Sequence, residues 1–282
     1  MSERAARGGE PPSSREPQFS RVDELFERTR AENRAALVGY LPAGFPDHKT
    51  SIAAIEAMVE GGVDLVEVGL PYSDPVMDGP VIQAAADRAL VGGTRTSDVL
   101  DVVRAAAGTG VPIVVMTYWN PVERYGVDRF AADLAGAGGA GLITPDLTPD
   151  EAGEWMAASD AHELDRIFLV APSSTDERLA MTAEASRGFV YATSVMGVTG
   201  QREQTSSLAP TLVERLRGVT GKPVGVGLGV SNRAQAHEVA AYSDAVIVGS
   251  ALVRCLLDAP NAASGVDAVR DLAGELRDGM VR

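Results

Sequence analysis

Short apolar segments alternate with amphipathic segments along most of the chain. Eight short runs, rich in Val, Ile and Leu, have the length and composition of buried β-strands. These strands are predicted at residues 36–41, 64–69, 111–116, 141–143, 166–170, 189–192, 223–227 and 245–248. Because most of these runs are apolar on both faces, they are typical of parallel strands that helices cover.

The segments between the strands carry apolar residues at helical spacing. Helices are predicted at residues 48–59, 80–90, 96–107, 127–137, 148–158, 176–186, 209–217, 233–241, 250–257 and 266–278. Thr148 and Glu151 have the spacing of a capping box at the start of one of them. Residues 117–121, Thr-Tyr-Trp-Asn-Pro, are predicted to form a loop after the third strand.

Eight strand–helix alternations without a signal for a second domain predict an α/β fold, a single (β/α)₈ TIM barrel. Such barrels have roughly 250 residues, and the chain has 282. A doubly wound open sheet is the alternative, but no G-x-G-x-x-G follows the first strand. An extra N-terminal helix is expected at residues 20–32, where Ser20 and Asp23 resemble a capping box. It is expected to close the bottom of a barrel domain that spans residues 18–282.

Residues 1–17 differ from the rest of the chain in composition. They are rich in Gly, Pro, Ser and Arg, and they lack the apolar region of a secretory signal. We expect them to form a disordered N-terminal extension.

Charge and composition exclude several classes of function. The net charge of −14 disfavours nucleic acid or an anionic membrane as a partner. No apolar run reaches the roughly 18 residues of a membrane span. The single cysteine, Cys255, excludes an internal disulfide and fits a reducing cytoplasm. The three histidines lack H-x-H or H-E-x-x-H spacing, so no metal site is predicted.

Two acidic residues mark the predicted catalytic centre. Glu67 interrupts the apolar second strand, where a carboxylate is costly unless it is paired, neutral or used in chemistry. Asp78 follows on a proline-rich loop, just before Gly79 and Pro80 open a helix. Both acids are expected to face the mouth of the barrel. The alternative is that Glu67 is a satisfied buried acid and Asp78 only caps the helix.

Glycines after the last three strands indicate a phosphate site. In this fold a phosphate commonly binds near strands seven and eight, at the start of a short helix. Segments 197–200, 228–231 and 249–250 each bring a glycine to such a position, and Ser250 adds a hydroxyl at a helix N-terminus. The substrate is therefore expected to be a small phosphorylated molecule.

The lysines restrict the reaction. A Schiff-base aldolase needs a lysine at the mouth of the barrel, whereas Lys49 begins an outer helix and Lys222 precedes the seventh strand at the bottom. Metal-dependent aldol cleavage would need a ligand cluster that the sequence lacks. Proton transfer by carboxylic acids remains, in an isomerisation or in carbon–carbon cleavage.

Several motifs resemble one family. LVEVGLPYSDPVMDGP, TYWNPV, GVTG, GLGVSN and IVGSALV together resemble the α subunit of tryptophan synthase, from about Phe19 to the C-terminus. The resemblance implies retro-aldol cleavage of indole-3-glycerol phosphate to indole and glyceraldehyde 3-phosphate in tryptophan biosynthesis. It implies no cofactor in this chain and a β subunit that carries pyridoxal phosphate, receives the indole and completes an αββα heterotetramer.

The resemblance also assigns roles to residues. Glu67 matches the acid/base at indole C3 and the glycerol hydroxyl, Asp78 the acid at the indole N–H, and Tyr191 a tyrosine near the first carboxylate. Residues expected to bind the phosphate or to close the site are Thr199, Gly200, Gly229, Gly249 and Ser250. Those expected to shape the indole pocket are Tyr40, Met116, Ile143 and Leu228.

The resemblance implies two further expectations, and two alternative functions stay open beside it. Loops 71–78, 118–122 and 145–147 are expected to contact the β subunit. Phe45, Val195 and Met196 depart from residues common in the family, which affects contacts of their loops. A phosphorylated-sugar isomerase of the same fold and a non-catalytic activating scaffold are the alternative functions.

Overall fold

The computed structural model describes residues 19–193 and 208–282, which form a closed parallel β-barrel surrounded by helices. Each strand pairs with the next one in the chain, and β8 closes the barrel against β1. The strands are β1 (Ala36–Pro42), β2 (Leu65–Gly69), β3 (Ile113–Met116), β4 (Gly141–Thr144), β5 (Asp165–Val170), β6 (Val190–Thr193), β7 (Val224–Gly227) and β8 (Ala245–Val248). The TIM-barrel prediction is confirmed, and the open-sheet alternative is wrong.

Helices connect the strands on the outside of the barrel. Within the described residues they are α1 (Arg21–Ala31), α2 (His48–Glu60), α3 (Pro80–Val91), α4 (Thr96–Ala107), α5 (Trp119–Tyr125), α6 (Val127–Gly136), α7 (Gly153–Ala161), α8 (Asp176–Ala185), α9 (Leu208–Arg217), α10 (Arg233–Ala240), α11 (Ser250–Leu257) and α12 (Ala262–Arg277). No helix in these ranges is both long enough and apolar enough to span a membrane.

Two helices begin four or more residues away from the predicted positions. The side chain of Thr148 contacts the Glu151 carboxylate at 3.3 Å instead of capping a backbone N–H. Residues 148–152 form turns closed by i→i+3 hydrogen bonds, so α7 starts only at Gly153. In contrast, α12 starts four residues before the predicted position, because Asn261 caps it by accepting the Ser264 N–H at 2.9 Å.

Helix α5 is absent from the sequence prediction, which placed residues 117–121 in a loop. Pro121 is the third residue of this helix, in the first turn, where a backbone N–H has no partner within the helix. The carboxylate of Asp146, from the loop after β4, accepts the Trp119 N–H at 2.9 Å. A contact distant in sequence thus caps α5.

The predicted N-terminal helix closes the bottom of the barrel. Ser20 and Asp23 form the reciprocal capping box expected of its start. Val22, Leu25 and Phe26 are buried against the barrel interior, where the rings of Phe26 and Phe189 are 5.7 Å apart. This packing keeps water out of the amino-terminal end of the barrel. The candidate site lies at the other end, where the strands finish.

Polar contacts secure this lower end. Asp64 lies just before β2, which starts one residue later than predicted, and its carboxylate pairs with the Arg34 guanidinium at 2.7 and 2.9 Å. The Lys222 ammonium donates to the carbonyls of Ala183, Glu184 and Ser186 around the end of α8. Lys222 is therefore occupied at the bottom, as the sequence predicted. The expected extension, residues 1–17, lies outside the described residues and stays a prediction.

Candidate active site

Glu67 points into the barrel near its carboxyl end. It lies in β2 between Tyr40 of β1 and Val114 of β3 in the strand register, and only 1% of its surface is exposed. Its Oε1 atom has no hydrogen-bond partner among the described residues. Burial raises the pKa of Glu67 to about 8. The residue is thus a neutral acid at neutral pH and differs from the satisfied buried acid of the alternative interpretation.

Asp78 lies on the loop that leads from β2 to α3. Helix α3 is capped by Gly79 without any side-chain hydrogen bond, so the alternative that Asp78 caps this helix is wrong. Its Oδ1 accepts a hydrogen bond from the Tyr118 hydroxyl at 3.0 Å. Burial raises the pKa of Asp78, and the Tyr118 hydrogen bond opposes that shift. The hydrogen bond from Tyr118 holds the Asp78 carboxylate in one orientation at the mouth of the barrel.

Tyr118 is a site residue that the sequence prediction assigned only to a surface loop. Its hydroxyl accepts the Met77 N–H at 3.0 Å while donating to Asp78, so it holds the β2 loop at two adjacent residues. Burial raises the pKa of Tyr118 above its ordinary value, which keeps the hydroxyl proton in place. Its position, directly after β3 and next to the acid-bearing strand, is the signal that could have identified it.

Two tyrosines flank Glu67 inside the mouth. A Cβ added to Gly69 would lie 2.3 Å from the Tyr40 hydroxyl, and one added to Gly227 would lie 2.6 Å from the Tyr191 hydroxyl. Each phenol thus occupies the space of a side chain that is missing from the next strand. Burial is the main reason that the pKa of both tyrosines is raised. The charge of Glu67 raises the pKa of Tyr191 further, and the charges of Asp78 and Glu67 do the same for Tyr40.

The predicted apolar residues lie on the neighbouring strands. Met116 ends β3 and is paired in register with Gly69 on one side and with Ile143 of β4 on the other. Ile143 is fully buried in the barrel interior, and Met116 packs partly buried against the same cluster. Together they supply an apolar wall next to the two acids.

The predicted phosphate segments after β7 and β8 lie side by side, because these two strands are paired. Gly229 has φ +70°, a left-handed conformation that favours glycine, and it follows the partly buried Leu228. Gly249 caps α11, so Ser250 is the first residue of that eight-residue helix. Thr199 and Gly200 lie outside the described residues, as do Val195 and Met196.

The loops after β2, β3 and β4 are joined by side-chain contacts. Asn120 donates to the Tyr72 hydroxyl at 3.3 Å, and the Tyr72 and Tyr118 rings are 5.3 Å apart. Asp146 accepts the Trp119 N–H, as described above. In the part of the chain that the structure describes, no group of three His, Cys, Asp or Glu side chains could hold a metal ion.

Comparison with known proteins gives consistent matches over the barrel. Residues 26–281 match the family model described as tryptophan synthase alpha chain. The tryptophan synthase alpha chain of Salinispora arenicola is 66% identical over 262 residues, which is 93% of this chain and 98% of the relative. That of Acidothermus cellulolyticus is 63% identical over 93% of this chain and 97% of its own length.

Solved structures agree with the sequence matches. A Mycobacterium tuberculosis tryptophan synthase structure shares 60% identity with a TM-score of 0.88, covering 94% of this chain and all of that one. The tryptophan synthase subunit alpha of Legionella pneumophila str. Paris shares 31% identity with a TM-score of 0.83, covering 93% of this chain and 98% of that one.

Proposed function

The chain belongs to the tryptophan synthase alpha chain family, and on that premise we propose that Glu67 and Asp78 carry out its reaction. The chain is a lyase that cleaves indole-3-glycerol phosphate in tryptophan biosynthesis. The products are indole and glyceraldehyde 3-phosphate. The phosphorylated-sugar isomerase considered from the sequence is therefore set aside.

The main support for the proposed roles is the burial of the Glu67 carboxyl group. A carboxyl group with a pKa of about 8 is protonated at neutral pH and can act as a general acid. Cleavage requires a proton on indole C3, because the bond from C3 to the side chain breaks only after the ring loses its aromaticity. Glu67 supplies this proton from inside a water-poor barrel.

Asp78 acts on the charge that this protonation creates. Positive charge develops at the indole nitrogen, and a carboxylate fixed by Tyr118 accepts the N–H and stabilises it. The Glu67 carboxylate then takes the proton of the hydroxyl on the carbon attached to the ring. As the carbon–carbon bond breaks, that oxygen becomes the aldehyde carbonyl and the electron pair restores the indole ring. Glu67 ends the cycle protonated.

The other predicted residues bind the substrate. Tyr40, Met116, Ile143 and Leu228 shape the indole pocket, with Tyr191 beside Glu67. Gly229, Gly249 and Ser250 bind the phosphate through backbone N–H groups and the Ser250 hydroxyl at the N-terminus of α11. Thr199 and Gly200, which lie outside the described residues, are assigned to the same phosphate site by the family resemblance alone.

The alpha chain of tryptophan synthase functions with a beta subunit. We assign the contact with it to loops 71–78, 118–122 and 145–147 at the mouth, in an αββα complex in the cytoplasm. The exposed Val76, at 75% of its surface, and the partly exposed Trp119 of the second loop support this assignment. This chain uses no cofactor of its own; the beta subunit carries pyridoxal phosphate and receives the indole.

Substitution of Glu67 by glutamine tests the proposed roles. We expect Glu67→Gln to lower kcat/KM for indole release by about 10²–10⁴-fold, the contribution of a general acid/base. Indole released from indole-3-glycerol phosphate is measured with and without the beta subunit. Glu56→Gln, which makes the same chemical change on the exposed face of α2, is the control.

The result also separates a catalytic chain from an activating scaffold. A Glu67→Gln chain that folds, binds the beta subunit and leaves indole release unchanged would make the scaffold the correct alternative. Circular dichroism and the midpoint of thermal unfolding establish that the variant folds.

A further inference from the structure

Tyr40 occupies the space directly above Glu67. Glu67 and Gly69 are two residues apart in β2, so their side-chain positions face the same side of the sheet. The Tyr40 hydroxyl lies 2.3 Å from the Cβ position of residue 69, and its Cζ lies 2.6 Å from it. Glycine at residue 69 is therefore what allows the phenol to lie across the end of β2.

The other side of the Tyr40 ring faces the predicted phosphate site. Its Cδ1 lies 3.4 Å from the Cβ position of Gly249, which caps α11. This placement follows from the topology, because β1 is paired with β2 on one side and with β8 on the other. Tyr40 thus lies between the catalytic acid and the N-terminus of α11.

The Tyr40 hydroxyl is available to a ligand. None of the described residues forms a hydrogen bond with it, in contrast to the Tyr118 hydroxyl, which has two partners. Burial and the nearby carboxyl groups of Asp78 and Glu67 raise its pKa, so the hydroxyl keeps its proton and can donate. A partly buried aromatic ring with a donor at its tip can both contact carbon atoms and select a polar group.

We propose that the Tyr40 hydroxyl hydrogen-bonds to the hydroxyl-bearing carbon chain of the substrate and thereby selects indole-3-glycerol phosphate over analogues that lack these hydroxyls. This inference rests on the proposed function, which puts the indole near Glu67 and Asp78 and the phosphate at α11. If the indole ring lies near the two acids and the phosphate lies at α11, the three-carbon chain between them lies next to Tyr40. The residue therefore determines specificity as well as the shape of the pocket.

The test compares two ligands that differ only in the hydroxyls of the chain. For Tyr40→Phe we expect kcat/KM for indole-3-glycerol phosphate to fall about three- to tenfold, the effect of one lost hydrogen bond. The inhibition constant of indole-3-propanol phosphate, which has the ring, the chain and the phosphate but no chain hydroxyl, should stay within about twofold of wild type. Tyr242→Phe, just before β8 at the bottom of the barrel, is the matched control.

The two ligands distinguish the possible results. A loss restricted to indole-3-glycerol phosphate supports the proposal. Equal weakening of both ligands, or no change in either, overturns it. Binding of the propanol analogue also shows that the variant is folded. Failure of the proposed roles is a separate result, because it would be seen as unchanged cleavage by Glu67→Gln.

Discussion

Glu67 illustrates how a single residue acquires its reactivity from its position in a strand. Its carboxyl group meets no cation among the described residues, so desolvation alone raises the pKa to about 8. The same group on the surface would be ionised at neutral pH and a poor proton donor. Strand β2 keeps it protonated by burying it between Tyr40 and Val114.

The pH dependence of cleavage follows from this pKa. In the proposed mechanism the protonated form of Glu67 starts the reaction, so we expect kcat/KM to be constant near neutral pH and to fall tenfold per unit above about pH 8. Indole release is measured from pH 6 to 10, with circular dichroism at each pH as the control for unfolding. A constant kcat/KM up to pH 9.5 with a folded chain would contradict the assignment of Glu67 as the acid.

At the scale of elements, α5 connects the loops after β2 and β4 near Asp78, one of the two proposed catalytic acids. Asp146, from the loop after β4, caps the helix at Trp119, and the neighbouring Tyr118 donates to Asp78. Tyr118 is therefore a positioning residue for Asp78, and Asp146 acts through it. The position of the Tyr118 hydroxyl thus depends on the N-terminus of the seven-residue helix α5, and the Asp146 carboxylate holds that N-terminus.

Substitutions along this connection test it. We expect Tyr118→Phe to lower kcat/KM about tenfold, since it removes a hydrogen bond to a charged group. Asp146→Ala should lower it as well, and the double variant should lose less than the product of the two single effects, because both act on Asp78. Asp146→Asn keeps an oxygen that can accept the Trp119 N–H and should restore most of the activity. Strictly multiplicative effects would contradict a shared route.

Elements with a strong local pattern could be predicted from the sequence. All eight strands were predicted because buried parallel strands have apolar residues on both faces, and the start of α1 because Ser20 and Asp23 are close in sequence. Helix α5 was missed because its cap comes from Asp146, 27 residues away. Glu67 and Asp78 stand out as acids in an unusual setting, but the Tyr118–Asp78 hydrogen bond joins residues 40 positions apart. The closeness of Tyr40 to Gly69 likewise becomes visible only in the folded barrel.

At the scale of the whole molecule, one end of the barrel carries the candidate site and the other end is closed by packing and polar contacts. The carboxyl ends of the strands carry the acids and the phosphate segments, as is usual in this fold. The opposite end is closed by α1, the Arg34–Asp64 pair and the Lys222 contacts. Each end nevertheless contains a buried carboxyl group with a raised pKa, Glu67 at the top and Asp165 at the bottom.

Asp165 is the first residue of β5, and neither of its carboxylate oxygens has a hydrogen-bond partner among the described residues. Burial raises its pKa from 3.8 to about 6, against the opposing influence of the Ser20 hydroxyl and the Arg187 guanidinium. Since the folded-state pKa is the higher one, the folded chain binds the proton more tightly than the unfolded chain. Ionised Asp165 therefore destabilises the fold at neutral pH, and this cost declines as the pH falls from about 6 and is gone only below the unfolded-state pKa of 3.8.

Replacing Asp165 by asparagine should separate stability from activity. Above pH 6 we expect Asp165→Asn to raise the free energy of unfolding by up to roughly 3 kcal/mol, the equivalent of that pKa shift. Near pH 4 most of the gain should be lost, because the wild-type carboxyl group then begins to be protonated in the unfolded chain as well as in the folded one. Urea unfolding at pH 4, 6 and 8 measures this difference, with the exposed Asp271→Asn as the control.

Since Asp165 lies at the end of the barrel opposite Glu67, kcat/KM should stay within twofold of wild type. Equal stabilities at pH 8, or a gain that is the same at pH 4 and pH 8, would show that ionised Asp165 carries no such cost.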